Sequence, residues 1–284
     1  MKATKTLNFF MLAVLSSIFT SGIFAQGSTP SNKTPDKSSE SISVLKTEVE
    51  QIISSYVNDY QTDLHAAEKR IIGIHVPEVN GEWTINVTGT EIGNKKWEVK
   101  LEKGLPSIPT YVYVAEAGIL KAIYNGEINA LTAQAKSFST DYAPLDVIVV
   151  NDFQPTEDDD SDLNAFSFHF WTKGFPEVVP FRPDATRKAH GAGATVFYYE
   201  KGLRTAWFNL MPGERVREDA REQAMPFPMM GVMIKGMAKG IVDGEPITVL
   251  EGNTVFIPAN VHHKWWNESD ESAELILIMF GDGA

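Results

Sequence analysis

The sequence predicts an α+β unit followed by an all-β barrel or sandwich. Three observations predict it. Apolar residues recur at helical spacing from Val44 onward. Short alternating runs then fill residues 72–114, followed by two short helical segments and one apolar strand. From Ala165 the β-like runs succeed one another at regular turn spacing. The chain has 284 residues, long enough for two domains.

The N-terminus reads as an export signal. Met1 to Lys5 is short and basic, and Leu7 to Phe24 is largely apolar. Ala25 followed by Gln26 and Gly27 is a cleavage site of the expected kind. Residues 1–25 are therefore expected to be a signal peptide, which makes the mature chain periplasmic or secreted, with no stable membrane insertion. A membrane anchor is the alternative, because the apolar run approaches the ~18 residues needed to span. The chain contains no cysteine. Disulfides, thiolate ligands and a lipid-modified cysteine are thereby excluded. Residues 26–43, rich in Ser, Thr, Pro, Asn and Lys, read as a flexible linker.

Leu45, Val49, Ile52, Ile53, Tyr56 and Tyr60 line one face of the first helix. Strands are expected at Ile72–Val76, around Trp83, Ile85 and Val87, around Trp97, Val99 and Leu101, and at Tyr111–Val114. Helical spacing returns through Ile119, Leu120, Ile123 and Tyr124 and stops at Gly126. A second short helix covers Ala130–Ala135, and Leu145–Val150 is the last strand. Helices on an antiparallel sheet result, with one sheet face to cover.

The residues carrying a first resemblance are the strand Thr110-Tyr-Val-Tyr-Val114, the segment Ala117-Gly-Ile-Leu-Lys-Ala-Ile-Tyr-Asn-Gly-Glu127 and the following Ile128 to Ala135. Residues 44–150 resemble the sterol carrier protein 2 (SCP2) family. The resemblance implies a cavity for a hydrophobic, lipid-like ligand between helices and sheet. Its lining would be Leu45, Ile52, Tyr56, Trp83, Tyr111, Ile119 and Ile123.

Residues 151–164 carry Glu157-Asp-Asp-Asp-Ser-Asp162, a self-repelling run expected to be an acidic interdomain linker. The second unit is then residues 165–284. Phe166, Phe168 and Phe170 alternate with Ser167, His169 and Trp171 as in a strand. Further strands are expected at Thr195–Glu200, Arg204–Met211, Met230–Lys235, Ala238–Val242, Thr254–Ile257, His262–Trp266 and Glu274–Phe280, separated by turns at Pro212-Gly213, Asp243-Gly244 and Glu251-Gly252.

Near the C-terminus the order is Gly252, five residues, Pro258, four residues, His263, three residues, Asn267. This spacing resembles the second conserved motif of the cupin family. The resemblance implies a double-stranded β-helix barrel, with His263 and Trp265 facing its interior. Asn260 stands where the family has glycine, and asparagine tolerates the same left-handed backbone. In metal-binding cupins a Pro-Gly turn leads to two histidines and a glutamate. Here Pro212-Gly213 and the later Gly236 are in place, but no histidine lies between them, and Met229 stands where the glutamate is expected. The interval holds Glu214, Glu218, Asp219 and Glu222. His263 with Glu222 is thus the candidate metal pair, for Fe, Mn, Ni or Zn. Without such a metal the barrel needs no cofactor, and His263, Trp265 and Met229 become candidate ligand contacts. For His263 a hydrogen-bonded polar residue in the barrel mouth is the plainer alternative. The tryptophans read as core and rim packing rather than a sugar platform. His190 reads as a loop histidine.

The formal net charge of −12 argues against nucleic acid and anionic membrane surfaces as partners. Two functions follow. One is an exported small-ligand binding protein, with a lipid-like molecule in the first unit and a second ligand, or a homodimer contact, at the barrel. The other is a metal-dependent enzyme (oxygenase, isomerase or sugar-modifying) around His263.

Overall fold

The structure is a computed structural model that describes residues 37–90, 97–138, 140–173 and 178–284. The expected signal peptide and most of the expected linker lie outside the described residues. Among the described residues, no helix is long and apolar enough to cross a membrane.

Helix α1 (Lys37–Tyr60) opens the first unit, so residues 37–43 are helical rather than part of a tether. Five strands follow: β1 (Arg70–Val76), β2 (Gly81–Val87), β3 (Val99–Lys103), β4 (Thr110–Ala115) and β5 (Leu145–Val150). Between the last two lie α2 (Ala117–Tyr124) and α3 (Ala130–Gln134). The sheet order is β3-β2-β1-β4-β5. It is mixed rather than antiparallel, because β4 runs parallel to β1. The cause is the segment 104–109, which carries the chain from edge strand β3 back across the sheet. It passes close over Gly73, where a Cβ would lie 2.9 Å from Pro106 Cδ and 2.7 Å from Val112. A side chain at residue 73 would push the crossing segment off the sheet.

The acidic run is not a linker, and the phenylalanines after it are not a strand. Both belong to α4 (Glu157–Phe170). Thr156 caps the helix and forms a capping box with Asp159. Glu157 to Asp160 fill the first turn, where the partial positive charge of the helix end offsets their mutual repulsion. Leu163, Phe166 and Phe170 recur at spacings of three and four and enter the same core as α1 and the sheet. Tyr111 Oη donates to Asp160 at 2.6 Å, and Tyr113 Oη shares a 2.6 Å hydrogen bond with Ser167 Oγ. The first unit therefore ends near residue 171, and the strands of the second begin at residue 187.

The second unit contains β6 (Arg187–Ala189), β7 (Ala192–Glu200), β8 (Leu203–Leu210), β9 (Arg215–Val216), β10 (Met229–Lys235), β11 (Met237–Val242), β12 (Glu245–Leu250), β13 (Thr254–Ile257), β14 (His263–Trp266) and β15 (Ala273–Phe280). One sheet runs β13-β10-β15-β8-β7-β6 and the other β12-β11-β14-β9. Leu210, Met233 and Ala273 of the first meet Val216, Ala238 and Val249 of the second in one apolar interior.

The two units share a polar seam along β7 and β6. Asn129 Nδ2 donates to Val196 O at 2.6 Å, and Val196 N donates to Thr132 Oγ1 at 2.8 Å. The β7–β8 register shifts between Val196 and Tyr198. Strand β6 pairs only with residues 192–194 of β7, so the outer edge of β7 beyond them has no strand neighbour, and here both groups of Val196 serve α3. Arg187 Nη1 donates to Thr132 O, Ala133 O and Ala135 O at 3.2, 3.0 and 2.6 Å, and its Nη2 to Tyr142 O at 3.2 Å.

His169 closes the other end of the seam. Its Nδ1 lies 2.9 Å from Asp63 Oδ2 and its Nε2 3.2 Å from Glu200 Oε1, one carboxylate from each unit. Burial opposes charge on this ring, but Asp63 and then Glu200 outweigh it and raise its pKa. Burial also opposes charge on Asp63, while hydrogen bonds from His169 and from His65 N outweigh that and lower its pKa. A raised histidine pKa stabilises the fold fully below the unfolded value of ~6.5, and the effect fades as pH rises through the folded value. The melting-temperature gap between wild type and His169→Gln is therefore expected to be widest near pH 6 and to shrink by pH 9. A gap that grows with pH would refute the charged bridge.

Candidate functional site

Between its two sheets the barrel holds a partly open cavity of about 60 Å³. Met233, Val249, Val255, Ile257, Leu275 and Leu277 supply apolar walls. His190, Arg217 and His263 supply the polar ones. Met229 and Trp265 also line it, so three of the candidate contacts, His263, Trp265 and Met229, share one chamber. His263 and Trp265 lie two residues apart on β14, which puts them on the same inner face. Asn260 adopts the left-handed backbone, at φ 64°, in the turn that leads into β14. Asn267 ends that strand by donating to Leu210 O and Glu271 O at 2.9 and 2.7 Å.

His263 is held from both sides. Its backbone N donates to Gln223 O at 2.8 Å. Its Nδ1 lies 2.9 Å from Val261 O. A carbonyl only accepts, so Nδ1 carries the proton and Nε2 presents a lone pair. That Nε2 is buried and, among the described residues, has no hydrogen-bond partner. Burial, reinforced by Arg217 and His262 against the Val261 bond, lowers the pKa of the ring to about 4. His263 is neutral at pH 7.

Arg217 and His190 did not stand out in the sequence. Arg217 follows β9 with a left-handed backbone at φ 60°, rare for a bulky residue. Its N donates to His190 O at 3.2 Å, and its Nη1 donates to Glu222 O. It is 6% exposed, and burial lowers its pKa to about 10. His190 sits in the β6–β7 turn, where Gly191 lets the chain press against β9. A Cβ at Gly191 would lie 2.2 Å from Arg215 O. Ser137 of the first unit accepts a 2.6 Å hydrogen bond from His190 N. His190 Nδ1 is 3.2 Å from Glu222 Oε1, at ion-pair distance. Burial and Arg217 lower its pKa against the pull of Glu222.

The structure does not bring His263 and Glu222 together as a metal pair. Glu222 is buried, and its carboxylate is turned to His190. Among the described residues, no group of three histidine, aspartate or glutamate ligand atoms closes around His263. The chamber offers the imidazoles of His190 and His263, two methionines and a guanidinium cation. This donor set does not fit a divalent ion, which needs three or four protein ligands and no neighbouring cation. A group that does close up, His65 with Glu68 and Asp162, lies in the first unit. There the Arg70 guanidinium pairs with both carboxylates and stands where an ion would be.

The seven residues expected to line a lipid cavity occupy a single core. Ile52, Tyr56, Trp83, Tyr111 and Ile123 are buried there, with Leu45 and Ile119 packed against them. Tyr56 meets Tyr124, Phe170 and Trp171 at ring separations of 5.8, 6.1 and 5.2 Å. The space between helices and sheet is filled by α4, whose helical character was not read from the sequence. A separate groove of about 1140 Å³ lies at the seam, lined in part by Phe168, His169, Phe197 and Glu200.

Residues 206–279 match the family model described as cupin domain. Over this stretch the barrel is cupin-like. No curated protein matches the chain. Among solved structures, a cupin 2 conserved barrel domain protein from Salinispora arenicola is similar at 16% identity, over 37% of this chain and 89% of its own, with a TM-score of 0.33. A Photorhabdus luminescens protein is similar at 15% identity, over 38% of this chain and 89% of its own, with a TM-score of 0.34. A conserved Streptococcus pyogenes protein of unknown function is similar at 21% identity, over 34% of this chain and 78% of its own, with a TM-score of 0.29. The matched stretch begins within β8 and ends within β15, and it contains all the cavity-lining residues except His190.

Proposed function

We propose that the chain is an exported small-ligand binding protein whose ligand occupies the cupin barrel. The observation that carries this reading is the apolar barrel chamber with a buried, unpartnered His263 Nε2. Buried polar atoms are nearly always hydrogen-bonded, so an orphan acceptor inside a cavity favours an occupant that supplies the missing donor. Desolvation of the occupant's apolar part contributes roughly 25 cal/mol per Å² buried.

The first unit is the scaffold in this reading. Its strand, short helix ending in Gly126-Glu127, second helix and last strand follow the order of the sterol carrier resemblance. Its expected lining residues pack on one another, which favours the barrel over the first unit as the ligand site. The metal-dependent enzyme is disfavoured by the donor set around His263.

The test is a methyl spectrum of the mature chain with labelled methionines under xenon, an apolar probe that enters dry cavities. Met229 and Met233, which line the chamber, are expected to shift, while Met211, which is exposed, stays in place. Equal responses at all three sites would remove the binding reading. The same sample exposed to Fe, Mn, Ni and Zn is expected to retain far less than one metal per chain. A full equivalent, lost in His263→Ala, would instead favour the enzyme.

A further inference from the structure

We propose that the barrel chamber takes a small hydroxycarboxylate, with its carboxylate on Arg217 and its hydroxyl on His263. The inference rests on the barrel being the ligand site and adds the chemistry of the occupant.

Two buried groups specify its two polar halves. Arg217 lines the chamber, and its guanidinium makes one hydrogen bond, to a backbone carbonyl. Among the described residues it has no ion pair, because the carboxylate of Glu222 is turned to His190 and reaches Arg217 only through space. A buried cation without a direct partner is costly, and burial already pulls its pKa down. The remaining guanidinium N–H groups form a fork that matches a carboxylate.

His263 specifies the other half. Its Nδ1 proton is committed to Val261 O, so the orphan Nε2 is an acceptor. An acceptor repels a carboxylate oxygen and takes a hydroxyl hydrogen. One ligand satisfies both groups only if it carries an anion and a donor. Met229, Val255, Leu275 and Leu277 leave an apolar space for the rest. A chamber of about 60 Å³, at ~10–15 Å³ for each water-sized sphere, admits a molecule of lactate size. A metal ion would satisfy Nε2 but would add positive charge beside Arg217.

The experiment is titration calorimetry of the mature two-unit chain with lactate, propionate and lactamide. Propionate lacks the hydroxyl and lactamide lacks the charge. Lactate is expected to bind most tightly, with lactamide weaker by roughly 30-fold or more and propionate by roughly 5- to 10-fold. Arg217→Gln is expected to erase the preference for lactate over lactamide, and His263→Phe the preference for lactate over propionate. These comparisons are made within each protein, and the wild-type series needs no variant to fold. Lactamide binding as tightly as lactate overturns the anion site. Propionate binding as tightly as lactate overturns the role of His263. If none of the three binds while xenon still shifts Met229 and Met233, the ligand class is wrong and the pocket reading survives. If xenon fails as well, both fall.

Discussion

Phe170→Ala is expected to destabilise the first unit by about 3–5 kcal/mol. Phe170 is completely buried, on the last turn of α4. Its ring lies 5.0 Å from Phe166, 4.9 Å from Trp171 and 5.6 Å from Tyr60. The substitution leaves a void between α1, α4 and the sheet, and these aromatic neighbours are too interlocked to close it. At ~2–4 °C per kcal/mol for a chain of this size, the melting temperature falls by roughly 10 °C. Differential scanning calorimetry reads it directly. A fall of only one or two degrees would mean that the acidic run and its phenylalanines are a peripheral linker after all.

Arg187→Met is expected to cost about 2–4 kcal/mol and to separate the unfolding of the two units. Arg187 belongs to the barrel strand β6, yet its guanidinium serves four carbonyls of the first unit. Three of those carbonyls close the C-terminal end of α3, where a helix has no internal donors left. Removing the guanidinium takes the donor from Ala133 O and Ala135 O, while Thr132 O keeps the Ala135 N–H and the exposed Tyr142 turns to water. Calorimetry is expected to show two transitions in place of one, with faster amide exchange at residues 130–137. Arg187→Lys recovers only part of the loss, since one ammonium cannot span the positions a planar fork reaches. A single transition with unchanged exchange would show that the seam does not depend on this residue.

The seven strands expected after residue 190 all form within a few residues of their expected limits. Turn chemistry and alternation are local signals, and they survive in a closed barrel. Strand β12 went unread because Pro246 interrupts its pattern. As an edge strand it tolerates a proline, and the Asp243-Gly244 turn before it makes a two-residue hairpin. Helix α4 was misread for a different reason. Phe166, Phe168 and Phe170 fit a period of two as well as they fit a helix. The deciding residues are Leu163 and the Thr156 cap, upstream of the phenylalanines and on either side of an apparent charge run. His263, Trp265 and Met229 could be placed together because the two motif spacings carry the barrel register with them. Arg217 could not. It lies in a charged stretch from Glu214 to Glu222 of which only the carboxylates were candidate ligands, and its left-handed backbone has no signature in the sequence. His190 needed the approach of Gly191 to β9, a contact between segments far apart in the chain.

The hydrogen bond from His190 N to Ser137 Oγ gives the two units a common thermodynamic ledger. His190 is a wall of the barrel chamber, and Ser137 is anchored just beyond α3. Coupling free energy is reciprocal. A ligand that repositions the His190 turn alters the grip of Ser137, and whatever displaces the segment after α3 alters affinity in the barrel by the same factor. The binding strength of an isolated barrel is therefore expected to differ from that of the whole molecule, and titrating both with one ligand checks it.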